Sequence, residues 1–235
     1  MLANGSAAAA STARDEIFSG IDSWVFDLDE TLYPAASGLQ VRIRERIIVF
    51  IADLFNIGIA EAAARRVGWY ERYGSALYGL IHEHGVDPVR FLEFVHDVDL
   101  GVLNRDEGLI QSIAALPGRR LIFTNGSKRH AEAVLEALGL RPLFEEVCHI
   151  EDRSFVSKPQ EAAYDCLLKR HGIVPANAAI FDDTSANLVL PKAHGMRTVL
   201  VVPAELGAAA AAAKPPHIDA VTGNLAAFLR PYAEE

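Results

Sequence analysis

Two cysteines, Cys148 and Cys166, stand among 235 residues. They are too few for a disulfide framework or a four-thiolate zinc site. Both sit in apolar surroundings (Val147-Cys148-His149-Ile150 and Asp165-Cys166-Leu167-Leu168), which predicts buried, inert thiols in a reducing compartment. Positive charge is scarce as well: 22 Lys and Arg face 31 Asp and Glu, a net charge of −9. A nucleic-acid binder would carry a basic face, so no nucleic-acid polymer is expected as partner. No run of about 18 apolar residues is free of charge, so no membrane span is expected. Residues 1–14, rich in Ala and Ser, lack the basic start and long apolar stretch of a signal peptide. They read as a mobile tail, and the chain as cytoplasmic.

What is present is ordinary for a folded chain. Hydrophobic residues make up 51% and charged residues 23%, which excludes disorder, collagen and coiled coil. Five short apolar runs suit strands buried on both faces: residues 23–27, 120–124, 146–150, 178–182 and 197–202. Helical patterns separate the later ones and end at Gly139, Gly172 and Gly195. This alternation predicts an α/β fold, a doubly wound, Rossmann-like parallel sheet. More than ninety residues separate the first two runs, too many for one crossover. They read as helices over 41–55, 59–73 and 75–84, and a fourth from Asp87-Pro88 through Val95. The expected organisation is a core of residues 15–34 and 104–235 with a helical cap of 35–103 inserted, hinged near Ala35 and Leu103. The Ala-rich stretch 208–213 reads as a linker or a short helix.

The chemistry gathers at strand ends, where open α/β sheets bind ligands. The first run leads into Asp27-Leu28-Asp29-Glu30-Thr31 and the fourth into Asp182-Asp183. One such Asp would be an ordinary cap or turn residue. Several together are costly without a cation, and hard oxygen donors suit Mg²⁺. The second run ends Thr124-Asn125-Gly126-Ser127 before a helix, either a plain N-cap or an anion site. Lys158 precedes a helix whose first residue is expected at Pro159; alone it would be a solvated lysine, but here it can neutralise phosphate and carboxylates together.

These four motifs, in this order, resemble those of the haloacid dehalogenase superfamily in its C1-capped phosphatase branch. The stretch Phe26-Asp27-Leu28-Asp29-Glu30-Thr31-Leu32-Tyr33-Pro34 is similar to the pyrimidine 5′-nucleotidase-like group. So are Tyr73-Gly74-Ser75-Ala76-Leu77-Tyr78, Asp87-Pro88, Phe94-Val95-His96 and Phe181-Asp182-Asp183-Thr184 with Asn187. Ser75 and Thr184 depart mildly from that group, which commonly has Thr and Ser there. The resemblance implies a Mg²⁺-dependent phosphomonoesterase acting on a small-molecule phosphomonoester, a pyrimidine nucleoside 5′-monophosphate first. In this reading Asp27 is the nucleophile and Asp29 the general acid and base. Asp27, the Asp29 carbonyl and Asp183 ligate the metal, and Asp182 is a further ligand or an anchor. Thr124, the Asn125 amide and Lys158 hold the phosphate, Thr31 supports the loop, and Asn187 ties down the loop after the fourth run. Tyr73, Ser75 and Tyr78 are candidate specificity residues, with Tyr70 and His96 beside them, and His130 can face either way. A sugar-phosphate or broad metabolite phosphatase, a phosphomutase and a non-catalytic binding protein are the alternatives. A monomer and a homodimer both remain open.

Overall fold

A computed structural model describes residues 17–232; the tail expected over 1–14 lies outside the described residues. Its centre is a six-stranded sheet in the order β3-β2-β1-β4-β5-β6, with every pair parallel. The strands are β1 (Ser23–Phe26), β2 (Arg119–Phe123), β3 (Glu146–Cys148), β4 (Ala178–Asp182), β5 (Arg197–Val201) and β6 (Ala220–Thr222). Every residue of β1 and β4 is buried, as strands covered by helices on both faces must be. Phe26 stacks on Phe181 at 4.6 Å, and Phe123 is likewise fully buried. Each such ring stabilises the fold by about 1.5–3 kcal/mol.

The sheet order places the site. β1 is central, and the chain leaves it toward β2 on one side and β4 on the other, which opens a crevice at the strand ends. Phe26 is in register with Ile122 and Phe181, and Asp27 N donates to the Phe181 carbonyl at 2.8 Å. Asp27 therefore emerges beside Asp182.

Between β1 and β2 run α1 (Leu39–Phe55), α2 (Ile59–Tyr73), α3 (Ala76–His84), α4 (Pro88–Val95) and α5 (Glu107–Ala114). Their ends follow local chemistry. Ser75 Oγ accepts from Tyr78 N, and Asp87 caps α4 with Pro88 in its first turn. The later helices are α6 (Lys128–Leu138), α7 (Glu161–His171), α8 (Val189–His194), α9 (Gly207–Ala212) and α10 (Leu225–Leu229).

Several expectations need correcting. The sheet has a sixth strand: β6 is three residues at the edge, too short to show a period. α5 was not foreseen. The third strand stops at Cys148, because His149 caps a 3₁₀ turn over Ile150–Arg153. Residues 185–194 form a 3₁₀ turn (Ser185–Leu188) before α8, since Asn187 turns inward. Pro159 does not open α7, which starts at Glu161. The 208–213 stretch is largely the exposed short helix α9. Cys148 is buried, and burial pushes its thiol up to about 12, but Cys166 is only half-buried. Among the described residues no single helix is long and apolar enough to cross a membrane.

Candidate active site

A cavity of about 1020 Å³ opens over the strand ends. Its floor is Asp27, Asp29, Thr124, Asn125, Lys158 and Asp183; its roof comes from α1, α2, α3 and α4, including Tyr73, Ser75 and Tyr78. Of the residues singled out in the sequence, Thr31, His130 and Asp182 do not line it; all three are buried, Asp182 fully.

One buried ammonium organises the floor. Lys158 Nζ lies 2.8 Å from Asp27 Oδ1, 2.6 Å from Asp182 Oδ2 and 3.0 Å from the Phe123 carbonyl. All three of its N–H donors are thus engaged. Burial works against its charge, but the two carboxylates outweigh it and raise the lysine above its usual value. Asp182 Oδ1 accepts from Thr184 N and from Asn187 Nδ2, each at 2.9 Å. Both Asp182 oxygens are therefore occupied, which suits an anchor for Lys158 and the loop after β4. Asn187 ties that loop down as expected. The Thr31 hydroxyl, by contrast, is buried with no hydrogen-bond partner among the described residues.

Asp27, Asp182 and Asp183 bring one carboxylate oxygen each within 4.8 Å of one another. Three carboxylates against one ammonium leave two negative charges when all are ionised. Burial, offset by Lys158, raises Asp27 well above the carboxylate range; burial and then Asp182 push Asp183 up to about 7. The donors are hard oxygens and the imbalance is two charges, so the residues present fit a divalent metal of the Mg²⁺ class.

Asp29 faces a different environment. Its Oδ1 accepts from Tyr33 Oη at 2.6 Å and lies 2.9 Å from His130 Nε2. Burial alone would raise this carboxyl; the His130 ring and the tyrosine hydroxyl instead hold it well below the usual range. His130 stacks on His96 at 4.3 Å, and His96 Nδ1 meets Ser127 Oγ at 2.9 Å. Burial, followed by His130, pushes His96 down to about 3, so that ring is neutral. The capping Ser127 sets the direction of His130: it holds the first turn of α6, whose inner face carries the ring.

The loop after β2 is braced from below. Thr124 Oγ1 accepts from Gly126 N at 2.9 Å. The Asn125 side chain accepts from Lys158 N at 2.8 Å and donates to the Lys158 carbonyl at 3.2 Å, locking the lysine loop to the strand end. Buried Arg153 donates to the Thr124 carbonyl and to Asn125 Oδ1. Arg153 and the Tyr33–Asp29–His130 grouping had not been assigned from sequence. A local signal existed for Tyr33, four residues beyond Asp29; none did for Arg153, which lies in an irregular turn.

The roof residues have structural duties too. Tyr73 Oη donates to Glu83 at 2.9 Å while its ring lies 5.8 Å from that of Tyr78. Ser75 Oγ is the cap of α3.

Known proteins share this architecture. A HAD phosphatase from Thermococcus onnurineus superposes with a TM-score of 0.56 at 16% identity, covering 88% of this chain and 96% of that one. The putative HAD-hydrolase YfnB from Bacillus subtilis, described as bound to magnesium, gives 0.55 at 17%, covering 90% and 98%. The L-2-haloacid dehalogenase of Xanthobacter autotrophicus gives 0.53 at 18%, covering 89% and 97%. At these identities the likeness is one of fold. In sequence, Phosphate metabolism protein 8 of Saccharomyces cerevisiae is 26% identical over 193 residues, 74% of this chain. The chain spans about 60% of that relative's length. A family model described as haloacid dehalogenase-like hydrolase matches residues 21–195, so the chain belongs to the haloacid dehalogenase-like hydrolase family.

Proposed function

We propose that this hydrolase is a phosphomonoesterase using Mg²⁺, with residues 15–34 and 104–235 as its core and residues 35–103 as a C1 cap hinged near Ala35 and Leu103. The observation that carries the reading is the grouping of Asp27, Asp183 and Lys158 beside the Thr124–Asn125 loop at the floor of one cavity. The relatives named for phosphate metabolism, phosphatase activity and bound magnesium agree with it.

Asp27 is the nucleophile. Its carboxylate oxygen forms a bond to phosphorus as the bond to the leaving oxygen breaks, giving an aspartyl-phosphate. Lys158, 2.8 Å from Asp27, fixes the orientation of that carboxylate. Asp29 passes a proton drawn from His130 to the departing alkoxide, then takes one from the water that cleaves the aspartyl-phosphate and frees Asp27. His130 Nε2, 2.9 Å from Asp29 Oδ1, is placed to exchange that proton with it. Thr124 and the Asn125 amide hold phosphate oxygens at the start of α6. Asp27, the Asp29 carbonyl and Asp183 would hold Mg²⁺, which would neutralise phosphate charge and orient it for in-line attack. The proposed cap excludes water from the reacting phosphate when it closes.

The substrate proposed first is a pyrimidine nucleoside 5′-monophosphate. Tyr70, Tyr73 and Tyr78 line the cavity, and their rings are candidate stacking faces for a base. Inorganic phosphate release is the test. UMP and CMP are expected to be cleaved faster than AMP and glucose 6-phosphate; equal rates would leave the phosphatase and remove the pyrimidine preference. An Asp27→Asn protein that released phosphate like the wild type would remove the mechanism.

A further inference from the structure

Helices α1 and α2 carry six arginines: Arg42, Arg44, Arg46, Arg65, Arg66 and Arg72. Four are neutralised. Arg42 pairs with Asp99, Arg46 with Asp97, Arg65 with Glu61 and Arg72 with Glu83. Arg44 and Arg66 form no ion pair among the described residues, and both line the cavity. In a chain with nine excess negative charges, two uncompensated cations in the roof of the site call for a reason.

Local detail sharpens the point. Arg66 is half-buried, and its Nε is shut off from water with no hydrogen-bond partner among the described residues. A buried, unpaired N–H is unfavourable unless something completes it. The guanidinium is lowered from its usual value by burial first and by the charge of Arg44 second, so the two cations repel each other. Tyr70, one turn beyond Arg66 on the same face of α2, lines the cavity as well. Of the glutamates lining the cavity, Glu30 feels Arg44 without forming an ion pair, and Glu71 forms no ion pair with either arginine among the described residues.

We propose that Arg44 and Arg66 form a second anion subsite, and that the substrate class is a phosphomonoester whose leaving group carries a carboxylate or a further phosphate. This rests on the phosphomonoesterase reading of the same cavity. An anion between the two guanidinium groups relieves their repulsion and satisfies Arg66 Nε, and a planar guanidinium matches either oxyanion with two parallel hydrogen bonds. The cavity has room for a phosphate on the floor and a second anion under the roof. Among nucleotides, one bearing an added anion is preferred to the plain monophosphate.

Matched pairs of esters test this with the full chain and Mg²⁺: uridine against orotidine 5′-monophosphate, uridine 5′-monophosphate against uridine 3′,5′-bisphosphate, and glycerol 3-phosphate against 3-phosphoglycerate. The wild type is expected to favour the more anionic member of at least one pair in kcat/KM by about tenfold or more. The carboxylate and phosphate arms show which oxyanion is read. Arg44→Gln and Arg66→Gln are each expected to bring that ratio toward one, with thermal unfolding confirming that the variants fold. Absence of any preference in the wild type, or equal losses on both members of a pair, overturns the subsite. If no ester releases phosphate, the hydrolytic reading falls on its own and the subsite is judged by binding. A larger thermal shift with the more anionic member, lost in Arg66→Gln, then supports it, and equal shifts overturn it.

Discussion

Lys158 shows how far a single side chain can commit a site. Two buried carboxylates flank it, and its removal leaves Asp27 and Asp182 facing each other out of water. Breaking a buried pair on one side costs about 3–5 kcal/mol, because a charge is left uncompensated. Lys158→Ala is therefore expected to lose stability of that order in urea unfolding as well as phosphate release. A stability within 1 kcal/mol of wild type, about the worth of an exposed pair, would show the carboxylates to be solvated instead. At Asp29 the argument concerns direction more than charge. Tyr33 and His130 both grip Oδ1, leaving Oδ2 for the reacting oxygens. Loss of such an orienting partner typically lowers activity by about 10–100-fold. His130→Ala is expected to fall in that range in kcat with KM little changed, while Tyr33→Phe, which keeps the imidazole, falls less. A fall in KM-controlled binding with kcat intact would place His130 in substrate recognition.

Elements meet at glycines where no larger residue fits. Gly79 in α3 sits against Trp69 of α2; a Cβ there would lie 2.5 Å from the indole Cδ1 and 2.8 Å from the Trp69 Cβ. Helix propensity alone favours Ala over Gly by about 1 kcal/mol. The packing argument gives the opposite sign, since the Trp69 Cβ is tied to backbone and cannot swing away. Gly79→Ala is expected to lower the unfolding midpoint and to alter tryptophan fluorescence, because Trp69 Nε1 would lose its 2.9 Å bond to Glu83. A raised midpoint would mean that the α2–α3 contact gives way freely. The same scale shows what could be read from the sequence. α2 and α4 lie where the sequence places them, and for α4 the Asp87-Pro88 cap is a local signal. β1 and β4 were plain as buried apolar runs ending in carboxylates. β6 and α5 were not seen: one is three residues long, and the other is eight residues whose inner face is set by packing on α10. The site splits along the same line. Asp27, Thr124, Lys158 and Asp183 lie at strand ends or next to helix starts, where position implies direction. The unpaired state of Arg44 and Arg66 depends on which neighbouring arginines found partners across helices, and no local pattern records that.

At the scale of the whole molecule, the excess of acid has a local centre. Asp27, Asp182 and Asp183 converge from two strands that are adjacent in the sheet but more than 150 residues apart in the chain. Their repulsion opposes the packing of β1 on β4, so a divalent cation should stabilise the entire core rather than one loop. A ligand that binds only the folded state adds about 2.7 kcal/mol at a concentration of 100 times its Kd. For a chain of this length that corresponds to a rise of about 5–10 °C in the unfolding midpoint. Mg²⁺ is expected to produce such a rise and EDTA to reverse it, together with the loss of phosphate release. Screening of a −9 chain by salt would also raise the midpoint, and it acts on exposed charges wherever they lie. NaCl at matched ionic strength therefore serves as the control. Asp183→Asn separates the two effects further: it removes one of the three carboxylates while hardly altering the overall charge. The variant is expected to keep the NaCl response and lose most of the Mg²⁺ response. An equal Mg²⁺ shift in both proteins would move the cation away from the β1–β4 edge.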